Sequence, residues 1–481
     1  MRTSNDSIDR YDRDRAVSPI GVRRPRRCVR HSRHPGRDDG ARAARASARI
    51  ANRPRIELQT TDRPFIGPAG INSIVILADV PIRTRIVMIK KSVVLGLVSI
   101  GSVAAHAQSS VTLYGIVDAG IAYTNNQGGA SNLQQTSGKL SGSRWGLKGS
   151  EDLGNGVKAV FTLESGFRPS DGGLGQGGRL FGRSAYVGLG KTGIGTLTFG
   201  RQYDPLADLV AQYAGSGFWS PATHVGDNDN LNQSFRLNNA VKFRSDPIAG
   251  FTADLLYAFS NHGSGGAGTG FSNNNAWGVS ANYVNGPLSV GGGYLRLNHP
   301  SATSNTSGAV GGATTTTGND YSGAFFYGLN GGVRKQQIGV AGANYVLGRA
   351  TLGFAWSHTQ LDYVDGSSRK FNNYDVNARY QLTPAATLLG VYTFTDGRAS
   401  GLPGTGGQTL KPRWHQFTLG FDYALSKRTD LYLSGIYQLA AGDASTATSG
   451  GYRKIAAISN IGSASSTNRQ VAFVSGLRVK F

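Results

Sequence analysis

The nine residues Phe417-Thr418-Leu419-Gly420-Phe421-Asp422-Tyr423-Ala424-Leu425 alternate between apolar side chains and polar or small ones. One face of the stretch carries Phe, Leu, Phe, Tyr and Leu, and the other carries Thr, Gly, Asp and Ala. Successive side chains of a strand point to opposite sides of its sheet, so one side here meets an apolar medium and the other meets water. The same alternation recurs over 374–382 and 111–121. The pattern predicts an all-β protein.

Sixteen segments of this kind follow one another along the chain, and most span about 9–14 residues. That length suffices for a tilted strand to cross a bilayer, whereas strands of soluble proteins usually have about five or six residues. Three segments, 275–285, 288–298 and 334–347, are rich in glycine and alternate less cleanly. The predicted strands are 111–124, 142–152, 157–167, 181–190, 195–203, 238–246, 251–260, 275–285, 288–298, 334–347, 350–362, 371–383, 386–396, 411–426, 429–440 and 468–481.

The connections between these segments alternate between short turns, such as Gly154-Asn155-Gly156 and Lys427-Arg428, and long polar stretches. An even strand number with short turns at one rim and long loops at the other is the layout of an outer-membrane barrel. A soluble sandwich has no reason to keep its long loops at every second connection. The sequence therefore predicts a 16-stranded antiparallel transmembrane β-barrel. The long connections are 125–141, 168–180, 204–237, 261–274, 299–333, 363–370, 397–410 and 441–467.

The chain ends on Phe481, which shares the apolar face of its segment with Val479, Leu477 and Phe473. An open sheet edge is not tolerated in hydrocarbon, so the last strand must close against the first. We expect Phe481 to lie at that closure, in an aromatic girdle at the membrane interface.

An export signal lies within the chain, at residues 88–107. Two lysines are followed by an apolar stretch and by the small-x-small site Ala105-His106-Ala107, so we expect cleavage between Ala107 and Gln108. The barrel then spans 108–481. Residues 1–87 are rich in arginine and have no apolar period. They are either a disordered basic arm or the product of a start placed upstream of Met88, and a nucleic-acid arm has no use on an exported protein.

Removing residues 1–107 changes the charge argument. They hold 21 of the 50 basic and 9 of the 28 acidic residues, so the net charge falls from +22 to +10. Cys28, the only cysteine, also precedes Gln108, which leaves the mature chain without disulfide or thiolate chemistry. No apolar run of 18 or more residues occurs over 108–481, which excludes a helical membrane protein.

Six motifs stand in order along 108–481: Ser110–Gly115, Ser143–Gly149, Phe181–Leu189, Phe199–Asp204, Asn238–Phe243 and Gly476–Phe481. Each is weak alone, but together they resemble the general porins of Gram-negative bacteria, especially the β-proteobacterial branch. The resemblance implies a homotrimer in the outer membrane, each barrel having its own pore narrowed by an inward-folded third loop. It also implies small hydrophilic solutes and anions, outer-membrane lipid, lipopolysaccharide and the barrel assembly machinery as partners, and no nucleic acid.

The third long connection, 204–237, begins with a helix signal. Asp204 is a capping residue, the next residue is a proline suited to the first helical position, and apolar residues follow at helical spacing. A short helix here would pack against the inner wall of the barrel, and the alternative is an ordinary surface loop with a capped turn. We expect the constriction loop to bring acidic residues to the lumen, namely Asp204, Asp208, Asp227 and Asp229.

The alternation of side chains along each strand also predicts which basic residues point into the lumen. Trp145 and Leu147 face lipid, so Arg144 and Lys148 point inward, because a charge at the bilayer midplane costs a few kcal/mol. By resemblance, Arg144, Arg183 and Arg236 match the arginine row on the wall of such pores, with Lys148, Glu164 and Arg168 nearby. The same resemblance assigns Ser184, Tyr186 and Gly188 to the lipid side.

A row of guanidinium groups facing acidic or carbonyl groups across a narrow gap sets a transverse field that orders water and selects by charge. Together with the mature charge of +10, the lumen arginines predict passive diffusion with a mild preference for anions. A substrate-specific channel for phosphate, sugars or dicarboxylates is the alternative.

Other chemistry is not predicted. The stretch 188–193 matches G-x-G-x-x-G, but a strand follows where a nucleotide-binding loop needs a helix. The mature histidines have no metal spacing, we interpret them as solvated, and no G-x-S-x-G occurs, so we expect no catalytic residue, metal or cofactor. An outer-membrane barrel enzyme or an adhesin is therefore disfavoured. The histidines are His224, His262, His299, His358 and His415.

Overall fold

The chain forms a closed antiparallel β-barrel whose wall strands follow one another in chain order and whose last strand pairs with the first. The structure is a computed structural model that describes residues 109–263, 270–311, 321, 326–327 and 331–481. Residues 1–87, the signal peptide at 88–107 and the cleavage site at Ala107 and Gln108 lie outside the described residues. The strands are β1 (Ser110–Gln127), β2 (Ala130–Ser137), β3 (Arg144–Gly154), β4 (Val157–Gly166), β5 (Ser184–Lys191), β6 (Gly195–Gln202), β7 (Leu237–Ser245), β8 (Phe251–Ala258), β9 (Asn275–Asn285), β10 (Leu288–Asn298), β11 (Val333–Leu347), β12 (Ala350–Tyr363), β13 (Ser368–Gln381), β14 (Ala386–Ser400), β15 (Pro412–Ala424), β16 (Thr429–Gly442), β17 (Thr446–Thr448), β18 (Gly451–Arg453) and β19 (Arg469–Lys480).

The barrel has sixteen strand positions, as predicted. Strands β2 and β3 both pair with β1, one with its second half and the other with its first half, so together they fill one position. Strands β17 and β18 form a separate hairpin within the last long connection. The glycine-rich segments 275–285 and 288–298 are strands with the predicted bounds.

The predicted alternation is present on the walls. Leu419 is 71% exposed on the outer surface, whereas its neighbour Thr418 is 2% exposed and faces the interior. Val111 and Leu113 are likewise exposed outside, while Asp118 of the same strand is buried inside. Such a surface suits lipid on the outside and polar groups on the inside. Within the described residues, no helix has the length and apolar character needed to span a membrane.

The first rim connection differs from the predicted loop at 125–141. Strand β1 continues to Gln127, and a tight turn at Gly128 and Gly129, both with positive φ, leads into β2. The interruption instead falls at 138–143, between β2 and β3. There the Asp118 carboxylate accepts hydrogen bonds from Leu140 N at 3.1 Å and Ser141 N at 2.7 Å. These amides bond the carboxylate in place of a strand neighbour. The predicted loop at 363–370 is likewise shorter, because β13 begins at Ser368.

The closure joins β1 to β19, with Ile116 opposite Lys480. Beyond the last pair, Gly115 N donates to Phe481 O at 3.0 Å and Phe481 N donates to Gly115 O at 3.1 Å. Gly115 leaves room for the Phe481 ring, because a Cβ at position 115 would overlap it. Phe481 therefore lies at the seam of the barrel.

Connections fold into the barrel and fill one side of it. Tyr327 OH in the connection 299–332 donates to Asp227 O at 3.0 Å, and Gly226 N donates to Ser459 Oγ in the connection 443–468 at 2.8 Å. The inward side chains of β12–β16, such as Asn373 and Gln416, are buried beneath these segments. The open part of the lumen lies along β1–β7, where inward side chains such as Lys148 remain exposed.

Candidate pore constriction

The predicted helix begins the third connection. Asp204 Oδ1 accepts hydrogen bonds from Leu206 N at 2.9 Å and Ala207 N at 3.2 Å, which caps a π-helical turn over Leu206–Val210 and a 3₁₀ turn over Ala211–Tyr213. Short 3₁₀ turns at Gly215–Gly217, Ser220–Ala222 and Val225–Asp227 follow. We call residues 203–236 the constriction loop.

The constriction loop packs against the inner wall, which confirms the inward fold. Ser280 Oγ of β9 donates to Pro205 O at 2.8 Å, and the Tyr213 hydroxyl lies 2.8 Å from Ser289 Oγ of β10. Gly342 of β11 lies directly under Tyr213, since a Cβ there would stand 2.9 Å from Tyr213 Cγ. Leu206 and Tyr213 are fully buried in this contact.

A buried histidine fastens the same loop to β13. His224 Nδ1 lies 2.6 Å from Asp229 Oδ2, and His224 Nε2 lies 3.4 Å from Asp375 Oδ2. Burial alone would lower the pKa of His224, but the two carboxylates outweigh it and raise that pKa to about 10. Burial acts to raise the pKa of Asp229, but the charged histidine outweighs it and holds that pKa below its usual value. The interpretation of His224 as a solvated residue was wrong.

The expectation that the acidic residues of the loop face the lumen is wrong for three of the four. Asp227 accepts from Asn232 N at 3.0 Å and Ser234 N at 3.2 Å, while Asp204 Oδ2 accepts from Asn230 Nδ2 at 2.7 Å. Burial raises the pKa of both Asp204 and Asp227 to about 6. The carboxylates of Asp204, Asp227 and Asp229 are thus hydrogen-bonded to amides or to His224 inside the loop.

The fourth acid, Asp208, does reach the lumen. Its carboxylate pairs with Lys242 Nζ and lies 3.6 Å from Arg244 Nη2, both on β7. Lys242 also donates to Tyr203 O at 3.0 Å, so the start of the loop is tied to the wall on this side as well.

Three arginines converge on the open side of the lumen. Arg183 Nε donates to Glu164 Oε1 at 2.6 Å, and Arg144 Nε lies 4.0 Å from Glu164 Oε2. Arg236 Nη2 donates to the Tyr203 hydroxyl at 2.7 Å, and its guanidinium lies 4.7 Å from the centre of the Tyr203 ring. We call Arg144, Arg183 and Arg236 the arginine cluster.

The arginine cluster lines a cavity of about 430 Å³, the constriction cavity, together with Lys139. The constriction loop contributes polar residues to the same lining, namely Ser220, Asn232, Gln233 and Ser234, and also Ser216, whose hydroxyl oxygen is buried. No carboxylate lines this cavity in the described part of the chain. Acidic or carbonyl groups were predicted opposite the arginines. The described lining offers hydroxyl and amide side chains in place of acids, and Arg236 Nη1 donates to the carbonyl of Ser234 at 3.3 Å.

Two further cavities flank the constriction cavity. A loop-side cavity of about 620 Å³ is lined by Lys139, Arg168 and Arg183 among others. Arg168 lies at its edge, about half exposed, and pairs with Asp171 at 3.0 Å. A turn-side cavity of about 460 Å³ is lined by Lys148, Lys158, Lys242 and Arg244, with Asp208 as its carboxylate.

The assignment of Ser184, Tyr186 and Gly188 to the lipid side is wrong. Val187 and Leu189 are 58% and 56% exposed on the outer surface, while Ser184 and Tyr186 line the turn-side cavity. Arg183 precedes β5 by one residue, and it enters from the connection with its side chain turned to Glu164. Strand parity therefore does not extend to Arg183.

Other residues of the lumen were not singled out from the sequence. Lys158 and Arg244 share the inward parity of Glu164 and Lys242, so the alternation contains the signal for both. Lys139 lies in the interruption between β2 and β3, where no parity applies. In the described residues, no group of three or more His, Cys, Asp or Glu side chains could hold a metal ion.

Known proteins with similar sequences and structures are outer-membrane channels. A family model described as Gram-negative porin matches residues 92–439. An outer membrane porin protein of Bordetella pertussis is 33% identical over 366 residues, covering 69% of this chain and 90% of the relative. Outer membrane porin protein 32 of Delftia acidovorans is 31% identical over 353 residues, covering 71% of this chain and 88% of the relative.

Two solved structures share the barrel. The anion-selective porin from Comamonas acidovorans matches with a TM-score of 0.59 at 26% identity, covering 78% of this chain and 100% of that structure. The trimer form of OmpT from Vibrio cholerae matches with a TM-score of 0.54 at 15% identity, covering 78% of this chain and 99% of that structure. At that identity the second match concerns the fold alone.

Proposed function

Since this chain belongs to the Gram-negative porin family, we propose that its channel prefers anions and that the arginine cluster sets this preference. The protein is an outer-membrane porin through which small hydrophilic solutes diffuse passively. The observation that carries the proposal is the lining of the constriction cavity, which has four cationic side chains and no carboxylate within the described residues.

The charge balance around the cavity supports an anion preference. Glu164 bonds Arg183 and lies near Arg144, so one carboxylate offsets only part of the positive charge of the four cations. The low-dielectric walls of a narrow pore strengthen the field of the remaining positive charge, which lowers the energy of an anion there and raises that of a cation. Tyr203 stabilises the cluster, because its hydroxyl accepts a hydrogen bond from Arg236 Nη2 and the Arg236 guanidinium lies over its ring.

A related structure points the same way. The porin of Comamonas acidovorans, described as anion-selective, is 26% identical to this chain and covers its barrel. This similarity is a reason to measure the ion selectivity of the channel first.

Reversal potentials in a potassium chloride gradient across a planar bilayer test the proposal. We expect a chloride preference that falls when Arg144, Arg183 and Arg236 are each replaced by glutamine, and that is lost in the triple variant. Arg413→Gln is the matched control, because Arg413 pairs with Asp396 at 3.0 Å and is half exposed, away from the cavities. A cation preference of the unaltered porin would overturn the proposal. Saturation of the current by one solute at sub-millimolar concentration would favour a substrate-specific channel instead.

We also propose that the porin assembles as a homotrimer in contact with outer-membrane lipid and lipopolysaccharide, after insertion by the barrel assembly machinery. The exposed apolar side chains around the barrel, such as Leu133 and Leu419, supply the surface for such contacts. Sedimentation in detergent of known density measures the subunit number, and a monomer of unchanged conductance would contradict the trimer.

The same proposal makes the protein a channel without enzymatic activity. Its relatives are porins, and the lumen carboxylates Glu164 and Asp208 are held in salt bridges with Arg183 and Lys242. Release of fatty acid from outer-membrane phospholipid by the purified porin would contradict it.

A further inference from the structure

The turn-side cavity is built from three successive rows of inward-facing residues on neighbouring strands. The pairing of β1 and β3–β7 sets the rows, because residues directly opposite one another across a sheet share a face. The first row contains Thr112, Lys148, Thr162 and Tyr186, the second contains Ser110, Ser150, Val160, Gly188, Thr198 and Lys242, and the third contains Lys158, Gly190, Thr196 and Arg244.

Two of the four cations in this cavity are neutralised by acids. Lys242 pairs with Asp208, and Arg244 Nη2 lies 3.2 Å from Asp254 Oδ2. Lys148 and Lys158 form no ion pair with any described residue. Lys148 instead lies 5.3 Å from the centre of the Tyr114 ring, and both ammonium groups are exposed to the lumen.

Asp152 stands opposite Lys158 in the strand register, yet it does not neutralise it. Its Oδ1 accepts the hydrogen bond of Gly154 N at 2.9 Å in the adjoining turn. The cavity therefore keeps two uncompensated positive charges, on Lys148 and Lys158.

Glycines shape the wall between these two lysines. A Cβ on Gly190 would stand 2.9 Å from Lys158 Cε, so the absence of a side chain lets the Lys158 stem lie against β5. A Cβ on Gly188 would meet the methyl group of Thr198 at 2.8 Å. Both glycines belong to the stretch 188–193 that imitates a nucleotide-binding motif, and their role here is to leave space in the lumen.

Hydroxyl groups surround the uncompensated lysines. Six of them form no hydrogen bond within the part of the chain that the structure describes, so they are free to bind a solute. The phenol of Tyr186, half-buried, faces the same space. The six are the side chains of Ser110, Thr112, Ser150, Thr162, Ser184 and Thr196.

We propose that the turn-side cavity is a second solute site, distinct from the arginine cluster, that binds small polyhydroxylated carboxylates. Lys148 and Lys158 bind the carboxylate, and the free hydroxyls of the wall exchange hydrogen bonds with those of the solute. The inference rests on the proposed anion-passing channel and adds a solute class to it. A chloride ion uses the charges alone, whereas a sugar acid uses both the charges and the hydroxyls.

The test compares three probes in planar bilayers at constant chloride. Gluconate carries the carboxylate and the hydroxyls, acetate carries only the carboxylate, and glucose carries only the hydroxyls. We expect gluconate to reduce the chloride current saturably, at a half-blocking concentration well below that of acetate, and glucose to have little effect at the same concentration.

Variants locate the site. Lys148→Met and Lys158→Met are each expected to raise the half-blocking concentration of gluconate roughly threefold, the size of effect that a solvent-exposed charge pair gives. Thr162→Val should weaken the block by gluconate and leave that by acetate unchanged. Lys191→Met is the matched control, because Lys191 lies at the turn rim, donates to Asn155 O and does not line the cavity.

Equal blocking by gluconate and acetate would overturn the proposal, as would unchanged blocking in both lysine variants. Circular dichroism and unaltered insertion frequency establish that the variants are folded. If gluconate has no effect on a channel that still prefers chloride, the second site is refuted and the proposed function stands. If the channel prefers cations, the proposed function is refuted.

Discussion

His224 Nε2 lies 3.4 Å from Asp375 Oδ2, although the two residues are 151 positions apart in the chain. Asp375 belongs to β13 and also accepts the amide of Gly215 at 3.2 Å, so one wall carboxylate fastens the constriction loop at two points. The position of the loop edge, and thus the width of the constriction cavity, depends on this attachment.

Replacing His224 tests that dependence. We expect His224→Gln to lower the free energy of unfolding by roughly 3 kcal/mol near pH 6, because removing one partner of a buried ion pair leaves the other uncompensated. Thermal unfolding in detergent, followed by circular dichroism, measures the loss. His415→Gln is the control, since His415 lies 2.9 Å from the Tyr392 hydroxyl on β14 and pairs with none of the acids that the structure describes.

The stability difference between wild type and His224→Gln should depend on pH. The pKa of His224 in the folded protein is raised from 6.5 to about 10, so its contribution is complete below pH 6.5 and is lost as the pH rises through 10. The raised pKa values of Asp204 and Asp227 affect both proteins alike and cancel in the difference. A difference that stayed constant from pH 6 to pH 10.5 would show that His224 acts without its charge.

Asp208 is the carboxylate that lines the turn-side cavity. Asp208→Asn should strengthen the preference for chloride, because it releases Lys242 from its ion pair and removes a negative charge from the lumen. Reversal potentials measure the change, with Asp246→Asn at a short turn as the control. A shift toward potassium in Asp208→Asn would contradict the electrostatic account of selectivity.

Gly342 gives the constriction loop its close approach to the wall. Gly342→Ala should destabilise the protein by about 1–3 kcal/mol through overpacking, and it should push Tyr213 and the loop toward the open lumen. Gly339→Ala on the same strand is the matched control, because nothing lies within 4 Å of a Cβ there. We expect lower conductance and a lower unfolding temperature for the first variant only. Equal behaviour of the two would refute the packing argument.

Phe481 closes the barrel through its main chain. Deleting Phe481 removes two hydrogen bonds to Gly115 and should cost about 2 kcal/mol, whereas Phe481→Ala keeps both bonds and should cost less. The folded fraction is read from the migration of unheated samples in denaturing gels. If the alanine variant folds as poorly as the deletion, the ring and not the main chain is the decisive contact.

The strands were predictable because their signal is local. Alternation identified even the glycine-rich β9 and β10, since lipid on one side and water on the other constrain every second residue. Strand β2 was missed because Ala130–Ser137 has one large apolar residue, Leu133, so its alternation is weak. The capping of Leu140 and Ser141 by Asp118 joins positions more than twenty residues apart, which no pattern of neighbours reveals.

The site was predictable only in part, for a related reason. Arg144 and Lys148 follow from parity, but Arg183 and Arg236 immediately precede their strands and owe their direction to Glu164 and Tyr203. The expected inward fold of the loop predicted that Asp227 and Asp229 reach the lumen, whereas the amides and the histidine that bond them are known only once the loop is folded.

The one-sided filling of the barrel bears on how the channel would be remodelled. Inward residues of β12–β16 look like pore-lining positions in the alternation, yet Asn373 and Gln416 are buried and hydrogen-bonded, so a change there would disturb folding before it altered permeation. The neutral edge of the constriction loop at Ser220 and Ser234, both partly exposed, borders the solute path. An engineer seeking a wider or differently selective channel has most freedom along that edge.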